Sequence, residues 1–251
     1  MRFLLYNIRY GTGHGVGYHM PLPFAGFFKQ NDQVLGRIAE FIKSVSPDVV
    51  ALIEVDSGSY RSARDCQADL IARRLNHFHV VEPKYGNGSL ASRIPVLNKQ
   101  SNALLTNKSI DSHRFHYFEE GVKRLVIEVE LEEVAIFTVH LSLKYRHRQQ
   151  QLEHLHRLIK NVHKPVIVAG DFNTFGGVRE LELFLGASGL KNANIDDQPS
   201  HPSHAPKRHL DFILHSEELT AENFRIPDIR LSDHAPLVCD FTLHGKPVTR
   251  Q

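Results

Sequence analysis

The chain has 251 residues, 41% of them hydrophobic and 23% charged, with a formal net charge of +2. It can bury a substantial core, its composition is that of a globular protein, and it lacks the large basic excess that many nucleic-acid binders carry. No apolar run approaches a transmembrane length and Met1–Asn7 turns polar too soon for a signal peptide, so a cytoplasmic location is expected.

Arg2 to Tyr10 reads as a first strand. Phe3, Leu5, Asn7 and Arg9 share one of its faces, so that face turns from apolar to polar towards its C-terminal end. The glycine-rich loop Gly11–Gly17 lacks the Lys-Ser/Thr of a GxxxxGK[ST] phosphate cradle and reads as a flexible rim. Phe24, Phe27 and Phe28 beyond it either form an apolar edge or pack beneath the loop. From Asp32, in N-cap position, Val34, Ile38, Phe41, Ile42 and Val45 keep helical spacing until Pro47.

Asp48 to Val55 is a second strand that delivers Glu54 near its end. Arg61 to Leu75 reads as an amphipathic helix, Val80 to Lys99 as an irregular surface segment, and Ser101 to Thr106 as a strand carrying Asn102. Val122 to Leu131 and Val134 to His140 form an expected antiparallel hairpin. Tyr145 to Val162 is helical, with Leu152, Leu155, Ile159 and Val162 on one face. Val166 to Ala169 is a buried strand, after which Gly170 is expected to turn the backbone. Arg179 to Leu185 is a short helix. His209 to His215 and Pro236 to Leu243 are further strands, separated by the segment with Ser232, Asp233 and His234. No repeat or linker divides residues 1–251, and hairpins mixed with strand–helix units indicate a single α+β or layered α/β domain.

Asp171 and Asn173 leave the same face if the chain stays extended. By themselves they are equally an arrangement for polar chemistry or an ordinary strand-to-turn junction. Asn7, Glu54, His140, Asp171, Asn173, Asp211, Asp233 and His234, however, all lie at or near the end of an apolar strand-like run. Strand ends are where a rigid sheet can hold distant groups together. Cys66 and Cys239 fit no metal or disulfide pattern and read as core residues. His201, His204, His209 and His215 match no zinc spacing and read as solvated or packed.

Tyr6-Asn-Ile-Arg9, Leu52-Ile-Glu-Val55, Thr138-Val-His-Leu-Ser142, Gly170-Asp-Phe-Asn-Thr174, Arg208-His-Leu-Asp-Phe-Ile-Leu214 and Ser232-Asp-His-Ala-Pro236 resemble, in order, the motifs of the endonuclease/exonuclease/phosphatase superfamily. That group includes DNase I-like nucleases, abasic-site endonucleases, inositol polyphosphate 5-phosphatases, sphingomyelinases and deadenylases. The resemblance implies a four-layer α/β-sandwich, with two packed mixed sheets between helices. It also implies divalent-metal-dependent cleavage of a phosphoester, usually with Mg²⁺.

The chemistry of the residues agrees. Phosphoester hydrolysis needs a hard cation, a positioned water and a proton for the leaving oxygen. Asn7 and Glu54 are oxygen ligands suited to Mg²⁺, with Asp233 as an added contact and Mn²⁺ or Ca²⁺ as alternatives. Asp171 is the candidate to orient or deprotonate water, with Asn173 holding water or phosphate. His234 would contact the phosphoryl group or move a proton, its tautomer fixed by Asp211. His140, at the position the family uses for a phosphate-contacting His or Tyr, would stabilise the transition state or protonate the leaving group. Asn102 resembles a cleft-lining residue. Arg9 stands where abasic-site endonucleases carry a carboxylate and would grip phosphate instead.

Three functions compete on these residues. They are a metal-dependent phosphodiesterase or phosphomonoesterase acting on a phospholipid headgroup or inositol phosphate, an endo- or exonuclease acting on DNA or RNA, and a non-catalytic binding module of the same fold. The intact acid, amide and histidine set argues against the last. No obligate protein partner is expected.

Overall fold

The computed structural model describes residues 1–13, 32–84 and 96–244. Phe24, Phe27, Phe28 and the Gly86–Pro95 stretch lie outside the described residues. Twelve strands are described: β1 (Arg2–Asn7), β2 (Val49–Asp56), β3 (Phe78–Pro83), β4 (Gln100–Thr106), β5 (Ile110–Tyr117), β6 (Leu125–Leu131), β7 (Ala135–His140), β8 (Val166–Asp171), β9 (Lys191–Asn192), β10 (Asp211–His215), β11 (Leu219–Arg225) and β12 (Leu237–Leu243). The described α-helices are α1 (Asp32–Val45), α2 (Gln67–Leu75), α3 (Tyr145–Ile159) and α4 (Glu182–Ser188).

The strands form two sheets, ordered β11-β12-β1-β2-β4-β3 and β5-β6-β7-β8-β10-β9. Each has one central parallel pair, β1–β2 in the first and β7–β8 in the second, flanked by antiparallel neighbours. Alternation along the strands builds the layers. Phe3, Leu5, Val49, Ala51, Ile53 and Leu104 of the first sheet meet Ile127, Ile136, Ile167, Ala169 and Ile213 of the second in the central core. The intervening residues Leu4, Tyr6, Val50 and Leu52 pack outward on Ile38 and Ile42 of α1 and Ile71 of α2. On the far side Phe137, Val139, Val168 and Phe212 receive Leu152, Leu155 and Ile159 of α3 and Phe184 of α4. The result is the expected four-layer arrangement.

The structure differs from the sequence reading in several places. β1 stops at Asn7, because Arg9 and Tyr10 take left-handed backbone angles in a 3-10 turn. The helix expected from Arg61 begins only at Gln67. Residues 57–62 wrap the buried Asp56 carboxylate, and Ala63 and Arg64 both have positive φ. β3 runs through the start of the segment read as irregular, and β5, β9 and β11 are sheet edges or near-edges with polar sequences.

Gly170 is also corrected. It does not turn the chain; it stays in β8 opposite Val139, and a Cβ there would lie 1.9 Å from the Val139 carbonyl oxygen. Gly170→Ala must therefore push β7 from β8, beneath both His140 and Asp171. A loss of about 3 kcal/mol is expected, read as a lowered urea midpoint at unchanged m-value.

Candidate active site

The inner faces of both sheets turn polar at the same end of the sandwich. On β7, β8 and β10 the inward parity that places Ile136, Ala169 and Ile213 in the core places His140, Asp171 and Asp211 just above it. His140 pairs with Asp171 in register, and Asp171 with Asp211. From the other sheet Asn7 continues the Phe3 and Leu5 face, and its Nδ2 donates to Asp171 Oδ2 at 3.1 Å.

Glu54 reaches this end by a different route. Simple alternation would send it outward, opposite to Ile53. A β-bulge between Leu52 and Val55, with φ of +58° at Glu54, turns its carboxylate into the cleft instead. Asn102 lies across the bulge, fully buried, and its Oδ1 accepts from the Glu54 backbone N–H at 3.3 Å. It thus sits beneath the cleft floor rather than open to substrate. Its Nδ2 is buried without a partner among the described residues.

Asn173 does not continue the strand as the extended reading supposed. Its φ is +52°, its backbone N–H donates to Asp171 Oδ1 at 3.0 Å, and its Nδ2 donates to the Leu141 carbonyl at 3.0 Å. Asp171 therefore accepts from Asn173 and Asn7 while His140 Nε2 lies 3.2 Å from its Oδ2. His234, in the loop before β12, bonds Asp211 Oδ2 through Nδ1 at 2.8 Å and keeps Nε2 3.9 Å from Asp171. Ser200 Oγ donates to the same Asp211 oxygen at 2.5 Å. Asp233 faces Arg9, with Nε 3.4 Å from Oδ2. Every residue named from the sequence is thus at this one end.

The sequence reading missed two lysines. Lys84, just after β3, is buried with Nζ 3.2 Å from both His140 Nδ1 and the Tyr10 hydroxyl, and 3.9 Å from Glu54. Lys123, in the loop before β6, closes on His140 Nε2. Neither lies in a motif, and Lys84 follows a strand that was read as loop. His201 is packed, as one of its two expected readings had it, its ring against His234 with centroids 4.7 Å apart. Of the other three, His209 stacks on Phe212 and His215 is buried, while His204 is exposed.

These contacts set the charges. Burial alone would raise Glu54, but Lys84, Lys123 and His140 outweigh it and hold its carboxyl at about 2. Burial also works to raise Asp171, and the fields of His140 and His234 overcome it, keeping Asp171 well below the usual carboxylate range. Burial, then Lys123 and Lys84, push His140 down to about 3. His234 goes the other way: burial disfavours its charge, yet Asp211 and Asp171 raise it to about 10. Burial lowers Lys84 to about 7 against the pull of Glu54.

A pH dependence of stability follows. Between about 6.5 and 3 the unfolded chain takes up a proton at His140 that the folded chain refuses, so stability is lost as pH falls through that window. Glu54 acts in the same sense from 4.5 down to about 2. Thermal melts in EDTA should drop steadily below pH 6.5, and a His140→Asn variant should show a shallower slope between 6.5 and 3. Above 6.5, His234 loses stability with rising pH up to about 10 while Lys84 gains it from about 7, so the two oppose one another.

The donor set suits a hard cation. Glu54 is an ionised, largely buried carboxylate whose Lys84 partner stands beyond hydrogen-bond length, and Asn7 adds an amide oxygen that accepts from the Arg9 N–H.

The Endonuclease/Exonuclease/phosphatase family model matches residues 4–234. A UPF0294 protein of Yersinia pestis is 31% identical over 154 residues, covering 61% of this chain and 52% of its own. A UPF0294 protein of Vibrio parahaemolyticus is 29% identical over 120 residues, covering 45% and 41%. The chain spans about half the length of these curated relatives. Among solved structures, an endonuclease/exonuclease/phosphatase from Beutenbergia cavernae superposes with a TM-score of 0.72 at 18% identity, covering 99% of this chain and 73% of its own. The human Nocturnin catalytic domain with bound sulfate gives 0.68 at 20% identity, with 97% and 94% covered. A mannosyl-6-phosphatase of Bacteroides thetaiotaomicron gives 0.72 at 13% identity, with 97% and 100% covered. These likenesses are of fold; the motif match across residues 4–234 carries the assignment, and the chain belongs to the endonuclease/exonuclease/phosphatase family.

Proposed function

We propose that the chain is a divalent-metal-dependent phosphoester hydrolase of the phosphodiesterase type. The observation that carries this reading is the convergence of Asp171, His140, His234 and Asn7 within hydrogen-bond or ion-pair reach at one end of the central core. Asn7 and Glu54 would hold the cation, with Mg²⁺ fitting the oxygen donors best and Mn²⁺ or Ca²⁺ as alternatives. When bound it would neutralise charge on the phosphoryl oxygens.

The chain's own groups supply the rest. Asp171 orients the attacking water and accepts its proton. Its carboxyl is strongly acidic while the charged His234 faces it unshared, and an arriving phosphoryl group takes up part of that field. Its basicity therefore rises when it is needed. His234, protonated and locked by Asp211, donates Nε2–H to a phosphoryl oxygen. His140 is neutral, with Lys84 Nζ against Nδ1 and both Lys123 Nζ and Asp171 Oδ2 against Nε2. Together with the two lysines it stabilises developing charge, the first of the two roles considered for it. Arg9 would contact a phosphate beside Asp233, and Asn102 would steady Glu54 from below.

A nuclease is the second reading, favoured by one feature. Exposed Phe175 carries the Arg208 guanidinium 5.4 Å from its ring centre, and exposed Tyr145 lies between Lys144 and Arg146. Aromatic and cationic groups so mixed suit single-stranded nucleic acid. Among the described residues no helix is long and apolar enough to cross a membrane.

The test is hydrolysis of bis-p-nitrophenyl phosphate, p-nitrophenyl phosphate, plasmid and abasic DNA, phospholipids and inositol phosphates, with Mg²⁺ and with EDTA. Turnover of a member that vanishes with EDTA is expected. Turnover indifferent to EDTA, or none with any of Mg²⁺, Mn²⁺ and Ca²⁺, overturns the reading.

A further inference from the structure

We propose that the segments bordering the cleft on the side of the second sheet form a docking rim, which seats the chain on an anionic phospholipid bilayer. The proposal rests on the phosphodiesterase reading and names where its substrate lies, in a lipid surface rather than free in solution.

Strand direction brings four segments to the cleft end. β7 ends there at His140 and β8 at Asp171, while β6 and β10, antiparallel to them, begin there at Leu125 and Asp211. Just outside these strand ends stand exposed apolar side chains: Val122 at 67%, Leu143 at 61%, Tyr145 at 59% and Phe175 at 45%. Large apolar side chains gathered on one exposed rim mark a surface that meets an apolar partner. The rim adjoins the cleft, because Val122 precedes Lys123, which closes on His140, and Phe175 follows Asn173 by two residues.

A buried polar frame holds the rim together. Gln151 of α3 accepts from Ser142 N–H at 2.9 Å and donates to the Lys123 carbonyl at 2.7 Å, which ties the turn of Val122 to that of Leu143. The two turns press so closely that a Cβ on Gly121 would meet Ser142 Oγ at 2.1 Å. Arg148 donates to the Leu143 carbonyl at 2.6 Å and pairs with Glu180, which accepts from Gly176 N–H at 2.5 Å beside Phe175. Arg148 and Gln151 are themselves buried, so the frame lies inside and the apolar side chains it carries lie outside.

Cations accompany the apolar groups. Exposed Lys144 and Arg146 alternate with Leu143 and Tyr145, and exposed Lys207 precedes Arg208, whose guanidinium lies 5.4 Å from the Phe175 ring centre. Four cations at one rim of a chain with a net charge of only +2 complement an anionic surface. The exposed acids Glu119 and Glu120 line a separate depression over α3, with Glu153 and Arg157. Lipid fits this rim better than single-stranded nucleic acid because Val122 and Leu143 are aliphatic. Neither offers a base a flat face to stack on, and both can enter the acyl boundary with Tyr145 at headgroup level.

The test is co-sedimentation of the full chain with vesicles in EDTA, where the proposed hydrolysis is silent. Binding to phosphatidylcholine mixed with phosphatidylglycerol is expected, with little to phosphatidylcholine alone and a loss on raising salt. Val122→Ser with Leu143→Ser should weaken binding about tenfold. Lys144→Ser with Arg146→Ser should weaken it about 20-fold. Phe78→Ser is the control: Phe78 is 63% exposed at the opposite end of the sandwich, paired through Thr106 with Val49, and its loss should change nothing. Thermal melts establish that each variant folds. No sedimentation of the wild type with anionic vesicles, wild-type binding by the Val122 and Leu143 double variant, or an equal loss in Phe78→Ser overturns the proposal. So does rim-dependent binding of oligothymidylate in place of vesicles, which assigns the surface to nucleic acid. Turnover of bis-p-nitrophenyl phosphate is measured separately, so either proposal can fail alone.

Discussion

Asp171→Asn is expected to keep its fold and to lower turnover of any cleaved phosphoester by about 10³-fold. The carboxylate accepts from Asn173 N–H at one oxygen and from Asn7 Nδ2 at the other, where His140 Nε2 also approaches. An amide keeps the shape but turns one oxygen into an NH₂ that faces a donor. That mismatch costs about 1–3 kcal/mol, which a chain of this size tolerates. The chemical loss is larger, because an amide cannot take a proton from water at neutral pH. The variant also withdraws the anion that His140 and His234 share, so His234 should titrate below the wild-type value of about 10. Steady-state kinetics on the best substrate, with far-UV circular dichroism and an NMR titration of the histidines, checks all three. Retention of more than about a tenth of wild-type turnover would show that Asp171 is not the group that activates water.

The second large effect concerns stability. Asp56→Ala should cost about 3–5 kcal/mol and lower the melting temperature by about 10 °C. Asp56 is fully buried and accepts from Gly58 N–H, Ser59 N–H, Ser59 Oγ and Ser62 Oγ at 2.6–3.2 Å, and from Arg61 Nε at 2.6 Å. Removing it strands several donors and leaves the Arg61 guanidinium without its buried counter-charge. The damage extends towards the cleft. Arg61 stacks 4.1 Å above the Tyr10 ring, Tyr10 receives Lys84, and Lys84 reaches His140. Replacing both charges, Asp56→Ala with Arg61→Met, should be milder than the single change, since no bare buried charge remains. A single-variant cost under about 1 kcal/mol by urea denaturation would mean that water or a shifted loop takes over the lost bonds.

The central strands and most cleft residues were readable because two rules coincide in them. Parity along β7, β8 and β10 carries an apolar inner face directly into His140, Asp171 and Asp211, so the run and its polar end are adjacent in sequence. β5 and β11 were not readable, because edge strands face solvent and sequences such as Asp111-Ser-His-Arg114 show no apolar alternation. Glu54 was found by its neighbours in the motif, while its parity pointed the wrong way until the bulge reversed it. Lys84 and Lys123 were lost for another reason. They meet their partners through tertiary packing between distant loops, which leaves no periodicity in the chain.

The position of β1 has a consequence for synthesis. It lies in the middle of its sheet between β2 and β12, with Phe3 opposite Cys239 and Leu5 opposite Leu237. A growing polypeptide can lay β2 against β1 early, but β1 keeps one bare edge until β12 has left the ribosome. This pairing spans the largest sequence separation among the described strands, which makes for slow assembly. Asp233 and His234 arrive with that same late strand. The cleft therefore cannot be assembled before β12 has found β1.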